Sequence, residues 1–241
     1  MSDRTLRTEM LIGEENAEKL RNSHAAVFGL GGVGSWCAEA LCRAGIGTLT
    51  LVDQDTVSVS NINRQLCALD ATVGLPKAEV MAERLLGINP DIHVIPIVQQ
   101  YNSETRDYFF SGSFDFVADA IDLVSCKLDL ICTCMDRGIP IISALGTGNK
   151  ADASRLRITD ISKTSGCPLA RVVRKELRER GIEHLDVVFS DEIAIRPSDC
   201  EAPPPGRRSV PGSLVWVPAS AGMLMAQHIV LTITGFKNPG K

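Results

Sequence analysis

The chain has 241 residues, 44% of them hydrophobic, enough to bury one large core or a core with a small appended lobe. A formal net charge of −4 excludes an overall basic coat for nucleic acid and leaves only local cationic faces. The eight cysteines include no CxxC pair in a chain too large to need disulfide staples, so reduced thiols and no zinc site are expected.

The first sixteen residues, MSDRTLRTEMLIGEEN, are charged and lack an apolar run of signal-peptide length, so a cytoplasmic protein is expected. Residues 1–24 are expected to form a helical arm ahead of the first strand. The run AAVFGL (25–30) then leads into GGVG, and apolar residues at Trp36 or Cys37, Ala40, Leu41 and Ala44 recur at helical spacing until Gly45. TLTLV (48–52) is rich in β-formers, which completes a βαβ unit and predicts a parallel sheet. Pro76 suits the first turn of a second helix, with Val80, Met81 and Leu85 as its apolar stripe and Gly87 as its exit.

HVIPIV (93–98) reads as a strand that Pro96 places toward an edge. FDFVADAID and IPIIS read as two more strands, separated by a helix over about 125–137. RLRIT (155–159) alternates like a strand with one wet face, and 168–180 has helical spacing. Five prolines in 197–212 predict a mobile surface loop. LVWVPASAGMLMAQHIVLTIT is broken by Pro218, Gly222, Gln227 and His228, so it reads as a buried strand followed by a core helix, with no membrane span. The fold class is therefore α/β: a Rossmann-like doubly wound, mostly parallel sheet with helices on both faces and a C-terminal α+β extension. One domain is expected over 1–241, with a nucleotide-binding core at 25–150 and the extension at 151–241.

Gly29, Gly31, Gly32 and Gly34 lie in GLGGVG, which satisfies GxGxxG directly after a strand and at the mouth of a helix. Missing side chains let the backbone approach phosphate, and the amides with the helix dipole supply partial positive charge. Asp53 ends the second strand, where a carboxylate can accept bonds from ribose hydroxyls. Asp55 is either a second polar contact or a loop acid. These features alone fit a nicotinamide dinucleotide, but Arg64 and Lys77 suit the three phosphates of ATP better than one pyrophosphate. Asp119 and Asp122 close the FVADAID run at the carboxyl edge of the sheet, where an acid can hold Mg²⁺ against a triphosphate.

Taken together, GLGGVGS, DQDTVSVSNINRQ, VGLPK and DAID resemble the adenylating superfamily of ubiquitin-activating enzymes and the bacterial ThiF, MoeB and HesA proteins, over most of residues 5–150. The resemblance implies ATP-dependent adenylation of a carboxylate with release of pyrophosphate. It further implies that Gly32 and its neighbours contact ATP, that Asp53 binds ribose, that Asn61, Arg64 and Lys77 address phosphates, and that Asp122 ligates magnesium. An N-terminal arginine, Arg7 or alternatively Arg4, would reach into a partner subunit's site, which implies a homodimer.

Farther along, ALGTGNKADASRLRITDISKT and TSGCPLARVVRKELRERGI resemble the tRNA threonylcarbamoyladenosine dehydratase branch, also described as cysteine-desulfurase-associated ThiF-like proteins. That branch implies a tRNA substrate, cyclisation of its threonylcarbamoyl group through an acyl-adenylate, and partnership with a cysteine desulfurase and its sulfur-acceptor protein. Two alternatives remain at this point: adenylation of the C-terminal carboxylate of a ubiquitin-like sulfur carrier, and a noncatalytic nucleotide-binding scaffold. Arg171, Arg174, Lys175 and Arg178 share one helix face, which Arg155, Arg157, Lys163, Arg207 and Arg208 would extend; it is either a surface for tRNA phosphates or an ordinary solvated face. Cys167 reads as packing, with an acyl relay as the alternative.

Overall fold

In the computed structural model residues 3–196, 198 and 211–237 are described. Two short helices, α1 (Leu6–Ile12) and α2 (Glu14–Arg21), precede the first strand. The βαβ unit follows as β1 (His24–Phe28), α3 (Gly34–Ala44) and β2 (Thr48–Val52). Next come α4 (Lys77–Ile88), β3 (His93–Ile97), α5 (Arg106–Phe109), β4 (Phe116–Asp119), α6 (Val124–Asp136) and β5 (Ile141–Ala144). The chain continues through β6 (Leu156–Asp160), α7 (Pro168–Glu179), β7 (Asp186–Ser190) and α8 (Trp216–Thr234).

One seven-stranded sheet runs in the order β3-β2-β1-β4-β5-β7-β6. Its neighbours are parallel except β6 and β7. β1 and β4 lie at the centre, and Ala25 through Phe28 and all of β4 are buried, as expected of strands covered on both faces. β3 forms an edge with an open burial pattern, so the ring of Pro96 costs no ladder bond on its outer side. The strands after residue 150 add to this same sheet.

Each face carries its own core. On one side α3, α4 and α8 pack through Leu41, Met81, Leu85, Ala221, Met225 and Ile229. On the other, α5, α6 and α7 close over Phe28, Tyr101, Phe109, Phe110 and Phe114, whose rings meet mostly edge to face.

Two expectations need correction. The segment from 214 holds no strand: Trp216, Val217 and Pro218 form the first turn of α8. Proline is accommodated there because first-turn amides have no intrahelical acceptor. The strand β7 has no counterpart in the sequence reading, because DVVFS is short and its inner residues are buried on both faces, which erases alternation. α8 is long and apolar enough to cross a membrane by length and composition, but Val217, Ala221, Met225, Ala226 and Ile229 are buried in the core. The proline-rich stretch expected to be mobile, with Cys200, Arg207 and Arg208, lies almost wholly outside the described residues.

Candidate active site

The glycine loop leaves β1 at Gly29, whose φ of +87° is disfavoured for residues with a Cβ. A Cβ there would stand 2.7 Å from the Ala120 carbonyl oxygen, and one on Gly34 would stand 1.7 Å from the Gly29 carbonyl oxygen. The loop therefore folds back on itself against the turn after β4, and only bare backbone fits. Asp53, one residue beyond β2, fixes its height: Oδ2 accepts the Leu30 amide at 2.6 Å and Oδ1 accepts the Asp55 amide at 2.8 Å. Burial raises the Asp53 carboxyl above the ordinary aspartate range, and the nearby Lys77 charge and these amides oppose that rise. Asp53 is thus a structural strut of the loop as well as the expected ribose acceptor.

The cations come from the segment after β2. Arg64 stands beside the loop, its Cγ 3.4 Å from where a Cβ on Gly32 would lie. Its guanidinium donates to the Ser60 carbonyl and to Asn63 Oδ1, both at 2.8 Å. Ser35 and Trp36 of α3 stitch this segment down: the Leu66 amide donates to Ser35 Oγ, and Trp36 Nε1 donates to the Arg64 carbonyl. Asn61 is buried, and its Oδ1 accepts the Ser58 amide at 3.1 Å, capping the turn that precedes Arg64. Lys77 opens α4, only 5% exposed, and its ammonium meets Asp55 at 2.9 Å. Asp55 is consequently the fixed partner of Lys77, and the Lys77 amide also donates to the Asp55 carbonyl.

At the end of β4 the two acids part company. Asp119 is fully buried, and its carboxylate accepts from Lys127 Nζ, Ser143 Oγ and the Ile121 amide, which engages both of its oxygens. Asp122 is exposed on the turn leading into α6. A hard carboxylate beside a phosphate-binding loop fits Mg²⁺, which takes one or two protein oxygens and draws its remaining ligands from phosphate and water. Among the described residues no cluster of three or more His, Cys, Asp or Glu side chains is placed to hold a metal by itself.

Other expected residues stand apart. Arg7 is exposed on α1. That arm is tied to the amino edge of the sheet, with Thr5 against Gly45, Arg4 paired to Asp91 and Glu9 to Arg21, so Arg7 lies at the opposite end from its own chain's glycine loop. On α7, Arg174 is turned inward and donates to the Thr164 carbonyl and hydroxyl, while Lys175 faces Glu179. Arg155 and Arg157 both pair with Asp191, so among the described residues the extended basic patch shrinks to Arg171, Arg178 and the exposed Lys163. Cys167 is buried at the N-cap of α7, where it packs in the core.

Two lysines escaped the sequence reading. Lys127 is wholly buried on the α6 stripe with Leu130 and Cys134, and a cation at an apolar-stripe position was the signal. Lys150 is buried and donates to the Ser190 carbonyl at 2.7 Å. Burial depresses its pKa below the ordinary lysine range. Nothing in the loop sequence ALGTGNK marks Lys150 as internal.

The sequence matches the ThiF family over residues 3–241. It is 44% identical over 236 residues to the tRNA threonylcarbamoyladenosine dehydratase of Bacillus subtilis strain 168, spanning 94% of this chain and 93% of that one. The crystal structure of the tRNA N6-threonylcarbamoyladenosine dehydratase of E. coli in complex with ATP superimposes with a TM-score of 0.88 at 36% identity, covering 97% of this chain and 96% of that chain. The same enzyme in complex with AMP matches equally well. With the glycine loop, its aspartate strut and two adjacent cations built as described, the chain belongs to the ThiF family and within it groups with the tRNA threonylcarbamoyladenosine dehydratases.

Proposed function

We propose that the protein is an ATP-dependent enzyme that cyclises N6-threonylcarbamoyladenosine beside the anticodon of tRNA. One observation carries this reading: the glycine loop, held by Asp53, faces Arg64 and is flanked by a buried Lys77, in a chain 44% identical to a named dehydratase along nearly its whole length. ATP is a substrate here. The threonyl carboxylate attacks the α-phosphorus, pyrophosphate leaves, and the carboxyl carbon now carries AMP as its leaving group. The tethered carbamoyl group then closes onto that carbon and AMP departs, so water is lost from the tRNA and ATP becomes AMP and pyrophosphate. Because the nucleophile is already attached, high effective molarity stands in for an enzyme nucleophile.

The chain's own residues bind and orient. The amides of Gly31 to Gly34 and the α3 dipole face phosphate, while those of Gly29 and Leu30 are held by the Val52 carbonyl and Asp53. Asp53 accepts from ribose, with Asp55 positioning the Lys77 ammonium. Arg64 and Lys77 neutralise charge on the leaving pyrophosphate, with Asn61 fixing the turn beneath Arg64. Asp122 would hold Mg²⁺, which supplies further charge stabilisation when bound. Arg7 acts in a second copy of the chain, a homodimer being favoured by its distance from its own crevice. Arg171 and Arg178, with Lys163, form the tRNA-facing surface. The protein works in the cytoplasm, with a cysteine desulfurase and its sulfur acceptor as partners.

The test is pyrophosphate exchange into ATP. Exchange that requires tRNA carrying the uncyclised nucleoside supports the reading, together with loss of that nucleoside in the mass spectrum of digested tRNA. Exchange that requires a ubiquitin-like carrier protein instead assigns the site to carrier activation, and no exchange with either leaves a nucleotide-binding scaffold.

A further inference from the structure

Lys127 and Asp119 form an ion pair with both side chains at 0% exposure. The Lys127 ammonium donates to Asp119 Oδ2 at 2.7 Å, to Ser143 Oγ at 3.1 Å and to the Ala144 carbonyl at 3.0 Å, which engages all three of its N–H groups. Asp119 Oδ2 also accepts from Ser143 Oγ at 2.6 Å, and Oδ1 accepts the Ile121 amide at 3.1 Å. As a means of stabilising a core this arrangement is poor, because well-packed apolar side chains of similar volume are commonly as stable or more so. What it does achieve is a connection.

One arm of that connection is the turn after β4. Asp119 holds the Ile121 amide, and Ala120 forms the wall of the glycine loop: its carbonyl oxygen would stand 2.7 Å from a Cβ on Gly29 and its methyl 3.2 Å from one on Gly34. Asp122 comes next in the chain. The other arm is the exit of β5, where the Ala144 carbonyl begins the stretch 145–150. That stretch ends at Lys150, which is tied to the Ser190 carbonyl at the end of β7. Three adjacent strand ends, β4, β5 and β7, are thus linked by two buried ammonium groups on the edge of the sheet where the phosphates are expected.

We propose that Lys127 is a positioning residue for adenylation. It holds the turn from Asp119 to Asp122 in register with the β5 exit, and so sets both the glycine-loop wall and the Asp122 carboxylate. The inference rests on the functional reading above. Uncoupling the two arms leaves the Asp53 strut and the loop amides in place, so nucleotide affinity is retained while the step that needs Asp122 slows.

The experiment compares Lys127→Met with the double variant Lys127→Met/Asp119→Asn, which removes both buried charges but keeps an acceptor for Ile121. The single variant leaves an unpaired buried carboxylate and melts well below the parent. The double variant is expected to melt within about 5 °C of the parent. Its kcat for tRNA-dependent pyrophosphate exchange is expected to fall about tenfold or more, with KM for ATP within about threefold. A double variant with kcat within about twofold of the parent overturns the proposal, since the pair then only packs. Raised KM at unchanged kcat overturns it too, as does a double variant that is unfolded at the assay temperature. A parent protein without tRNA-dependent exchange rejects the functional reading itself, and this proposal with it.

Discussion

Replacing Lys77 by methionine separates chemistry from folding. Lys77 is 5% exposed, yet its partner Asp55 presents a side chain 57% exposed, with 2.9 Å between charges. Coulomb attraction at that distance runs from about 1 kcal/mol in water to about 6 kcal/mol at an effective dielectric of about 20. Pairs with one solvated partner contribute about 0.2–1 kcal/mol in practice. Burying an ammonium opposes even that gain, and methionine fills similar space without a charge to desolvate. The net change in stability is therefore about 1 kcal/mol at most, a shift of about 2–4 °C in Tm for a chain of this size. Loss of one cation from the leaving phosphates costs about 3–4 kcal/mol of transition-state stabilisation, or about 10²–10³ in kcat. Thermal melting followed by circular dichroism and tRNA-dependent pyrophosphate exchange on the same preparation measure both. Turnover within about twofold of the parent, or a Tm lower by more than about 10 °C, would refute the reasoning.

Charge reversal of the two α7 arginines without an internal partner, Arg171→Glu with Arg178→Glu, should raise KM for tRNA and leave KM for ATP unchanged. The slope of log affinity against log salt should become shallower by about two, which filter binding at several salt concentrations reports. Cys167→Ser should keep exchange activity within about twofold and lower stability by about 1–2 kcal/mol, read by urea denaturation; loss of activity in folded protein would revive an acyl relay. The guanidiniums of Arg155 and Arg157 hold the Asp191 carboxyl below the usual aspartate range. A depressed folded-state pKa contributes stability that is present above the unfolded value and lost as pH falls through the folded one. Asp191→Asn should therefore lower Tm modestly at neutral pH and flatten the acid limb of Tm against pH below about pH 4, so that variant and parent converge in acid.

The elements that positioned the site were the legible ones, for identifiable reasons. The glycine loop announces itself because its steric demand removes side chains, leaving a pattern in sequence. Arg64 and Lys77 were legible as charges, but not the means of holding them: the tie from Trp36 to the Arg64 carbonyl and the pairing of Asp55 with Lys77 are contacts across 28 and 22 residues, and no local pattern encodes them. Asp119 and Asp122 looked equivalent because they are three residues apart at one strand end. Burial separates them, and burial of Asp119 follows from Lys127, whose place on the apolar stripe of α6 was visible but unread. The error at residue 214 arose because an apolar run before a proline looks the same whether it ends a strand or begins a helix.

The strand order explains why these particular residues meet. The chain runs outward from β1 through β2 to β3, then returns to lay β4 on the other side of β1. The loops leaving β1 and β4 diverge, which opens a crevice at the carboxyl edge of the sheet. The glycine loop and the Asp119–Asp122 turn form its two lips, with the segment carrying Arg64 beside them. Four buried cysteines among the described residues make poor nucleophiles. Burial pushes the thiols of Cys37 and Cys134 up to about 12, and those of Cys42 and Cys67 up to about 11. A thiol at about 12 is ionised in roughly one molecule in 10⁵ at neutral pH, so covalent catalysis through it would begin from a negligible population. On the proposed reading none is needed, since the substrate carries its own nucleophile a few bonds from the activated carbon. On that reading the requirement left to the protein is to hold phosphates and ribose still, and the proposed struts from Asp53, Asp55 and Lys127 would serve it without touching the reacting carbon.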